Sequence, residues 1–272
     1  MSRLGDAFKR ARGENRAAFI AYLTAGDPSA DATVELAKAL ERAGANVLEL
    51  GVPFSDPIAD GPVLQRAASR ALACGTTLGT VFDIAQRIRS QTRLALVLFS
   101  YVNPVHRMGI AAAARRAAEA GFDGALMTDL PAEEAAPIVG TLRRAGLDTV
   151  FLASPTSPAA RMREAARLSS GFLYVVSRPG TTGARAELPR DLPATVARAR
   201  QAAGDLPIAI GFGISTPDSA RRAARIADGV KRQPGRDHLA SRVVPEGQMQ
   251  PGDRRRSDPR RAAPQRRCIR TG

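Results

Sequence analysis

Val47-Leu48-Glu49-Leu50-Gly51-Val52-Pro53-Phe54-Ser55-Asp56-Pro57-Ile58-Ala59-Asp60-Gly61-Pro62 starts as a strand and ends as a loop. Val47 to Leu50 is short and apolar, as a buried strand is, yet it carries a carboxylate at Glu49. The loop that follows holds three prolines and two aspartates. In a barrel of alternating strands and helices, such a loop lies on the rim where active sites form. A carboxylate at a strand end loses solvation, which raises its pKa and suits it to proton transfer. Taken singly, Glu49 reads equally well as an ion-paired structural residue, and Asp60 as a turn former.

Outward from this stretch, apolar runs recur at Ala18–Leu23, Leu94–Tyr101, Gly124–Asp129, Thr149–Ser154, Phe172–Ser177 and Ile208–Ile214. An eighth begins at Asp228-Gly229-Val230. Helical periodicity fills the gaps, with Val63, Leu64, Ala67, Ala68, Ala71 and Leu72 forming one stripe. Thr216 followed by Pro217 reads as an N-cap and first-turn proline opening a helix through Ile226. Gly44, Gly75, Gly121 and Gly146 stand where helices should stop. Continuous apolar strands alternating with amphipathic helices imply a parallel sheet covered by helices. Eight such units favour a closed (β/α)8 barrel, an α/β fold, over an open sheet. A chain of 272 residues can bury that core as one domain.

After Val230 the pattern stops. Lys231-Arg232-Gln233-Pro234-Gly235 replaces the rest of the expected strand, and five prolines spread through residues 231–272. That segment holds 12 Lys/Arg against 4 Asp/Glu, so it carries +8 of the chain's +14 charge. Its composition cannot offset ordering entropy, and a disordered basic tail beside a barrel domain of residues 1–230 is expected. The text reads as the product of a reading-frame shift near codon 230, which the nucleotide sequence would decide; a functional basic tail competes with it. The tail has no aromatic residue, so base stacking is unsupported and specific nucleic-acid binding is not expected. Attraction of Arg254–Arg256, Arg260, Arg261, Arg266 and Arg267 to phosphates would be salt-sensitive and non-specific.

No apolar run reaches the roughly 18 residues a membrane span needs, and the start lacks the apolar stretch of a secretory signal. Cytoplasmic location is the expectation. Cys74 and Cys268 do not make a disulfide framework, and Cys74, on an apolar helical face, is read as a buried free thiol. His106 and His238 stand apart, so no metal site is expected.

The segment from Glu49 to Pro62 resembles the signature of the tryptophan synthase alpha chain family. Further matches are Leu23-Thr24-Ala25-Gly26-Asp27-Pro28, Tyr101-Val102-Asn103-Pro104 and Asp129-Leu130-Pro131-Ala132-Glu133-Glu134. Ser177-Arg178-Pro179-Gly180-Thr181-Thr182-Gly183 and Gly211-Phe212-Gly213-Ile214-Ser215 complete the set. The resemblance covers residues 1–230 and implies a TIM barrel. It also implies retro-aldol cleavage of indole-3-glycerol phosphate to indole and glyceraldehyde 3-phosphate, a lyase step of tryptophan biosynthesis. Glu49 matches the proton-transferring carboxylate and Asp60 the carboxylate that accepts the indole N–H. Tyr22, Phe99, Leu126, Thr128, Leu152, Tyr174 and Phe212 match the lining of the indole pocket, although alone they read as core. Gly183 and Gly213 match phosphate contacts, while Gly211-Phe212-Gly213 alone could mark close packing. The segment Pro179 to Leu188, with Thr182, resembles a mobile lid. The loop with Pro53, Asp56 and Pro57 resembles the surface that meets the beta chain in an alpha2beta2 assembly. Pyridoxal phosphate is expected only in that partner, and no cofactor in this chain.

The altered end of the chain lacks the Gly-Ser turn and closing helix usual in the family. An eighth strand cut short should leave open edges beside strands one and seven. Low stability and weak activity follow from that reading. The alternative function is an impaired alpha chain that binds the beta chain without efficient turnover.

Overall fold

All eight apolar runs form strands. The computed structural model describes residues 2–177, 188–211, 214 and 216–232. In chain order the elements are α1 (Arg3–Gly13), β1 (Ala18–Thr24), α2 (Ala30–Arg42), β2 (Val47–Gly51), α3 (Pro62–Ala73), α4 (Leu78–Gln91) and β3 (Ala95–Ser100). Then come α5 (Val102–Met108), α6 (Ile110–Glu119), β4 (Gly124–Met127), α7 (Ala136–Arg144), β5 (Asp148–Ala153) and α8 (Ala159–Leu168). The last are β6 (Phe172–Val176), α9 (Leu192–Ala203), β7 (Ile208–Gly211), α10 (Pro217–Ala224) and β8 (Gly229–Arg232). Every strand pairs in parallel with the next, and β8 pairs with β1, so the sheet closes into a barrel.

Local signals set the boundaries. Ser2, Ser29, Thr77 and Thr216 accept backbone N–H bonds at the starts of α1, α2, α4 and α10, each satisfying a donor the helix cannot. Gly44, Gly75, Gly121 and Gly146 adopt φ between +82° and +89°, apart from Gly75 at +78°, the left-handed turn that ends a helix. Helix α10 stops at Ala224, two residues before the expected end. The stripe on α3 is narrower than its periodicity suggests: Leu64, Ala67, Ala68 and Ala71 are buried, whereas Val63 and Leu72 are exposed. Cys74, at the C-cap of α3, is exposed rather than buried, and no described cysteine is free, which corrects the expected buried free thiol.

Strand alternation sorts side chains into two cores. On β2, Leu48 and Leu50 pack outward under the helices, while Val47 and Glu49 point into the barrel. Helix α1 plugs the floor, with Leu4 and Phe8 buried and the Phe8 ring 5.3 Å from that of Phe172. Gly124 and Gly229 make room there, since a Cβ at either would lie within 2.8 Å of Leu4 or Phe8.

A repeated device ties the strands together at that floor. A side chain just before each even-numbered strand accepts the backbone N–H of a residue on the preceding odd strand, or at its edge. Asn46 takes Phe19 N–H at 2.9 Å, Asp123 takes Leu96 at 2.8 Å, Ser170 takes Thr149 at 3.0 Å and Asp228 takes Ile208 at 2.9 Å. Asp123 also accepts from the half-buried Arg89 guanidinium at 2.6 Å. Asp123→Ala should therefore leave the Leu96 N–H unpaired and the Arg89 guanidinium, still bonded to the Gly121 and Leu94 carbonyls, without its carboxylate, at a cost of about 2–3 kcal/mol. A lowered urea midpoint at unchanged slope is the expected reading; an unchanged midpoint would show that solvent replaces the carboxylate.

The barrel end departs from expectation. Strand β8 runs through Arg232 and hydrogen-bonds both neighbours, with Gly229 and Val230 opposite Ala209 and Ile210, and Gly229 to Arg232 opposite Ala18 to Ala21. The open edges expected beside strands one and seven are therefore closed, and the ground for low stability from unpaired edges is gone. Two residues beyond Val230 suffice because pairing is a backbone property that Lys and Arg supply as well as any residue. The tail from 233 and its arginines lie outside the described residues, as does most of the segment read as a lid.

Candidate functional site

The site is built where the inward layer of the barrel meets the loop after β2. Glu49 is fully buried on β2. Around it stand Tyr22 on β1, Phe99 on β3, Leu126 on β4 and Tyr174 on β6, all buried in one cluster, with Leu152 of β5 packed against it. The Tyr22 and Phe99 rings meet edge to face at 5.2 Å. Asp60 is buried too, although it lies in the loop rather than on a strand. Thr128 and Leu152 also border a cleft at the rim with Leu130, Phe151 and Arg161. Of the sequence-derived site residues, Glu49, Asp60, Tyr22, Phe99, Leu126, Leu152 and Tyr174 converge, and Thr128 sits at the rim. Thr182, Gly183, Phe212 and Gly213 lie outside the described residues.

The tyrosines reach this layer because two strands end in glycine. A Cβ on Gly51 would fall 2.1 Å from the Tyr22 hydroxyl, and one on Gly211 would fall 2.1 Å from that of Tyr174. Close packing is thus the reason for Gly211.

Tyr101, just after β3, organises the loop. Its hydroxyl accepts the Ala59 N–H at 3.0 Å, its ring lies 5.1 Å from that of Phe54, and it hydrogen-bonds Asp60. Burial, with Asp60 beside it, pushes the Tyr101 phenol up to about 12. Sequence reasoning quoted Tyr101 only as part of a motif. It missed Lys231 altogether as a site residue. The Lys231 ammonium lies 2.6 Å from Glu49 Oε2, with both side chains fully buried. It also sits 4.4 Å from the Phe99 ring centre, 4.7 Å from Tyr22 and 5.7 Å from Tyr174. Alternation was the available signal: Val230 packs outward, so its successor must point in.

Burial raises the Glu49 carboxyl above its ordinary range, and the Lys231 charge and the hydrogen bonds of Lys231 and Tyr174 act against that rise. Asp60 is raised by burial as well, opposed by Lys231 and by Tyr101. Next to Glu49, the Tyr174 phenol is raised well above its usual value, chiefly by burial. Glu49 and Asp60 both act electrostatically on Tyr22 and both feel Lys231, so they share one pocket. A carboxyl raised on folding keeps its proton at pH values where the unfolded chain has released it. The folded state then binds more protons, and stability falls as pH rises from the ordinary carboxylate range towards the folded value. Asp60→Asn should remove part of that slope, so its urea midpoint should gain on the parent as pH rises above about 4; parallel curves would contradict a raised Asp60.

Among the described residues, no group of three or more His, Cys, Asp or Glu could hold a metal ion. No described helix is long and apolar enough to cross a membrane.

Comparison with known proteins resolves the ancestry. The family model of the tryptophan synthase alpha chain matches residues 8–231. The chain belongs to the tryptophan synthase alpha chain family. A tryptophan synthase alpha chain from Solibacter usitatus is 54% identical over 218 residues, 80% of this chain and 81% of that one. Another from Citrifermentans bemidjiense is 47% identical over 230 residues, 85% and 86% of the two chains. Among solved structures, tryptophan synthase subunit alpha from Legionella pneumophila superposes with a TM-score of 0.78 at 38% identity, covering 86% of each chain. Tryptophan synthase from Mycobacterium tuberculosis does so with 0.79 at 37%, covering 85% of this chain and 88% of that one. The family assignment brings the expected lyase class and the place in tryptophan biosynthesis with it. The family match ends at Lys231, one residue beyond the point where the sequence pattern changes.

Proposed function

We propose that this chain cleaves indole-3-glycerol phosphate by a retro-aldol reaction, releasing indole and glyceraldehyde 3-phosphate. The observation that carries the reading is the convergence of two buried carboxyls, Glu49 and Asp60, on one aromatic pocket at the catalytic rim. Breaking the carbon–carbon bond needs a proton at indole C3 and removal of one from the glycerol hydroxyl. Glu49 is the group for this transfer, because burial raises its pKa towards the range where a carboxyl can both give and take a proton. As C3 is protonated the ring nitrogen becomes cationic. Asp60 accepts the indole N–H and offsets that charge. Tyr22, Phe99, Leu126, Leu152 and Tyr174 hold the flat ring, with Thr128 at the rim; Phe212, Thr182, Gly183 and Gly213 are assigned by resemblance to the pocket, the lid and the phosphate.

The partner is a tryptophan synthase beta chain, in the alpha2beta2 arrangement and in the cytoplasm. The loop after β2 is its docking surface. Pyridoxal phosphate belongs to the beta chain, and the alpha chain carries out its half-reaction with side chains alone. The test is indole release from indole-3-glycerol phosphate by the full chain, with and without a purified beta chain. Turnover that the beta chain stimulates is expected; a folded chain that releases no indole under either condition would refute the assignment.

A further inference from the structure

Lys231 is at odds with a pocket built for a neutral ring. It directly follows the outward-facing Val230 on β8, and it stands opposite Ile20, two residues before Tyr22 on β1. Its ammonium lies in the space enclosed by Tyr22, Phe99 and Tyr174, at 4.4 to 5.7 Å from the three ring centres. Those spacings fit a cation held against aromatic faces and a carboxylate. They do not leave room for a second ring, because carbon atoms in contact already need about 3.5–4.0 Å between them. The charged and titratable groups facing the ammonium are Glu49 from β2, Tyr22 from β1, Tyr174 from β6 and Asp60 from the loop after β2.

We infer that Lys231 determines what the pocket admits: it is a built-in cationic occupant, paired with Glu49 in the place a neutral aryl ring must take, and such a ring binds only by displacing it. The inference rests on the aryl-pocket reading above. The pocket minus the lysine is a cage of three aromatic rings and two carboxyls, which suits a small alkylammonium ion as well as an indole ring. The lysine has four rotatable side-chain bonds, and rotation about them would carry the ammonium out of the cage while β8 stays paired. Binding of a ring therefore exchanges one occupant for another, and the lysine weakens affinity without removing catalytic groups. Displacement also takes away the charge that opposes the burial effect on Glu49, so ring entry and a proton-carrying Glu49 go together.

The experiment compares the full chain with Lys231→Val and Lys231→Met. Valine suits a strand and empties the cage, whereas methionine keeps the bulk without the charge. Circular dichroism checks that each variant is folded. Indole titration should give at least about tenfold tighter binding to Lys231→Val than to the parent, with Lys231→Met close to the parent. Butylammonium should compete with indole in Lys231→Val and not in the parent. Independently, the 13C carboxyl shift of Glu49 should titrate at a higher pH in both variants. Equal indole affinity in folded parent and Lys231→Val overturns the inference and leaves the aryl-pocket reading standing. Indole binding to none of the three, with butylammonium binding Lys231→Val, removes the aryl-pocket reading and the displacement that rests on it. An unchanged Glu49 titration overturns the pairing itself.

Discussion

Glu49→Gln is expected to destabilise the barrel by about 3–5 kcal/mol, the cost typical of removing one partner from a buried ion pair. Glutamine keeps the shape of the side chain, so the loss reports charge rather than packing. In the parent, Lys231 Nζ sits 2.6 Å from the carboxylate, with neither side chain exposed. In the variant an ammonium remains inside the barrel with a neutral amide and three ring faces for company. Ring contacts of this kind return only about 2 kcal/mol even when desolvated. Adding Lys231→Met should recover most of the loss, because an apolar side chain of similar volume is often as stable in such a place as the pair it replaces. Turnover separates the two roles of Glu49. The double variant should regain stability yet show indole release lowered about 10²–10⁴-fold, the usual worth of a positioned acid–base group. A double variant that recovers both would show that Glu49 is structural only.

Gly211→Ala should cost about 1–3 kcal/mol, as overpacking of a dense core does. The added methyl would lie 2.1 Å from the Tyr174 hydroxyl and 2.4 Å from the ring carbon that bears it, so the ring must move as a rigid body. It cannot move freely: Tyr174 is fully buried, and the Phe172 ring lies 5.6 Å away edge to face. Because the ring faces Glu49, the shift should also raise the apparent KM for indole-3-glycerol phosphate. Gly51→Ala should behave alike through Tyr22, with the same 2.1 Å contact. Helix α4 offers a control in Gly79, where a methyl would meet nothing closer than 3.5 Å and alanine is the better helix former. If Gly211→Ala is as stable as Gly79→Ala and binds substrate normally, the glycine is not there to admit the tyrosine.

Both effects are concentrated in residues whose sequence context said little. Glu49 and Asp60 were legible through the resemblance of the whole Glu49–Pro62 segment to the family, since a carboxylate in an apolar run and an aspartate in a Pro-rich loop fit an ion-paired residue and a turn former equally well. Tyr22, Phe99 and Tyr174 looked like any core aromatic, since strand periodicity places a side chain inside without saying what else meets it there. Lys231 was read as the start of a tail because its neighbours are Arg, Gln, Pro and Gly. The two residues after Val230 nevertheless complete pairing with β1, and one of them enters the site. The eighth strand was read as ending two residues early because polarity was taken as a reason for a strand to end. Backbone pairing to two existing edges does not depend on side-chain polarity.

The resemblance to the family closed the barrel and singled out Glu49 and Asp60, while the patterning of the sequence itself determined the eight apolar strands, a parallel sheet covered by helices and the helix stops at Gly44, Gly75, Gly121 and Gly146. These follow from periodicity and local backbone preference, which act over a few residues. Only the tertiary structure decided that the barrel closes through Arg232, that Gly51 and Gly211 make space for Tyr22 and Tyr174, and that Lys231 occupies the pocket against Glu49. Each of those depends on the distance between residues far apart in the chain. Closure of the sheet sets that distance, and no local pattern encodes it.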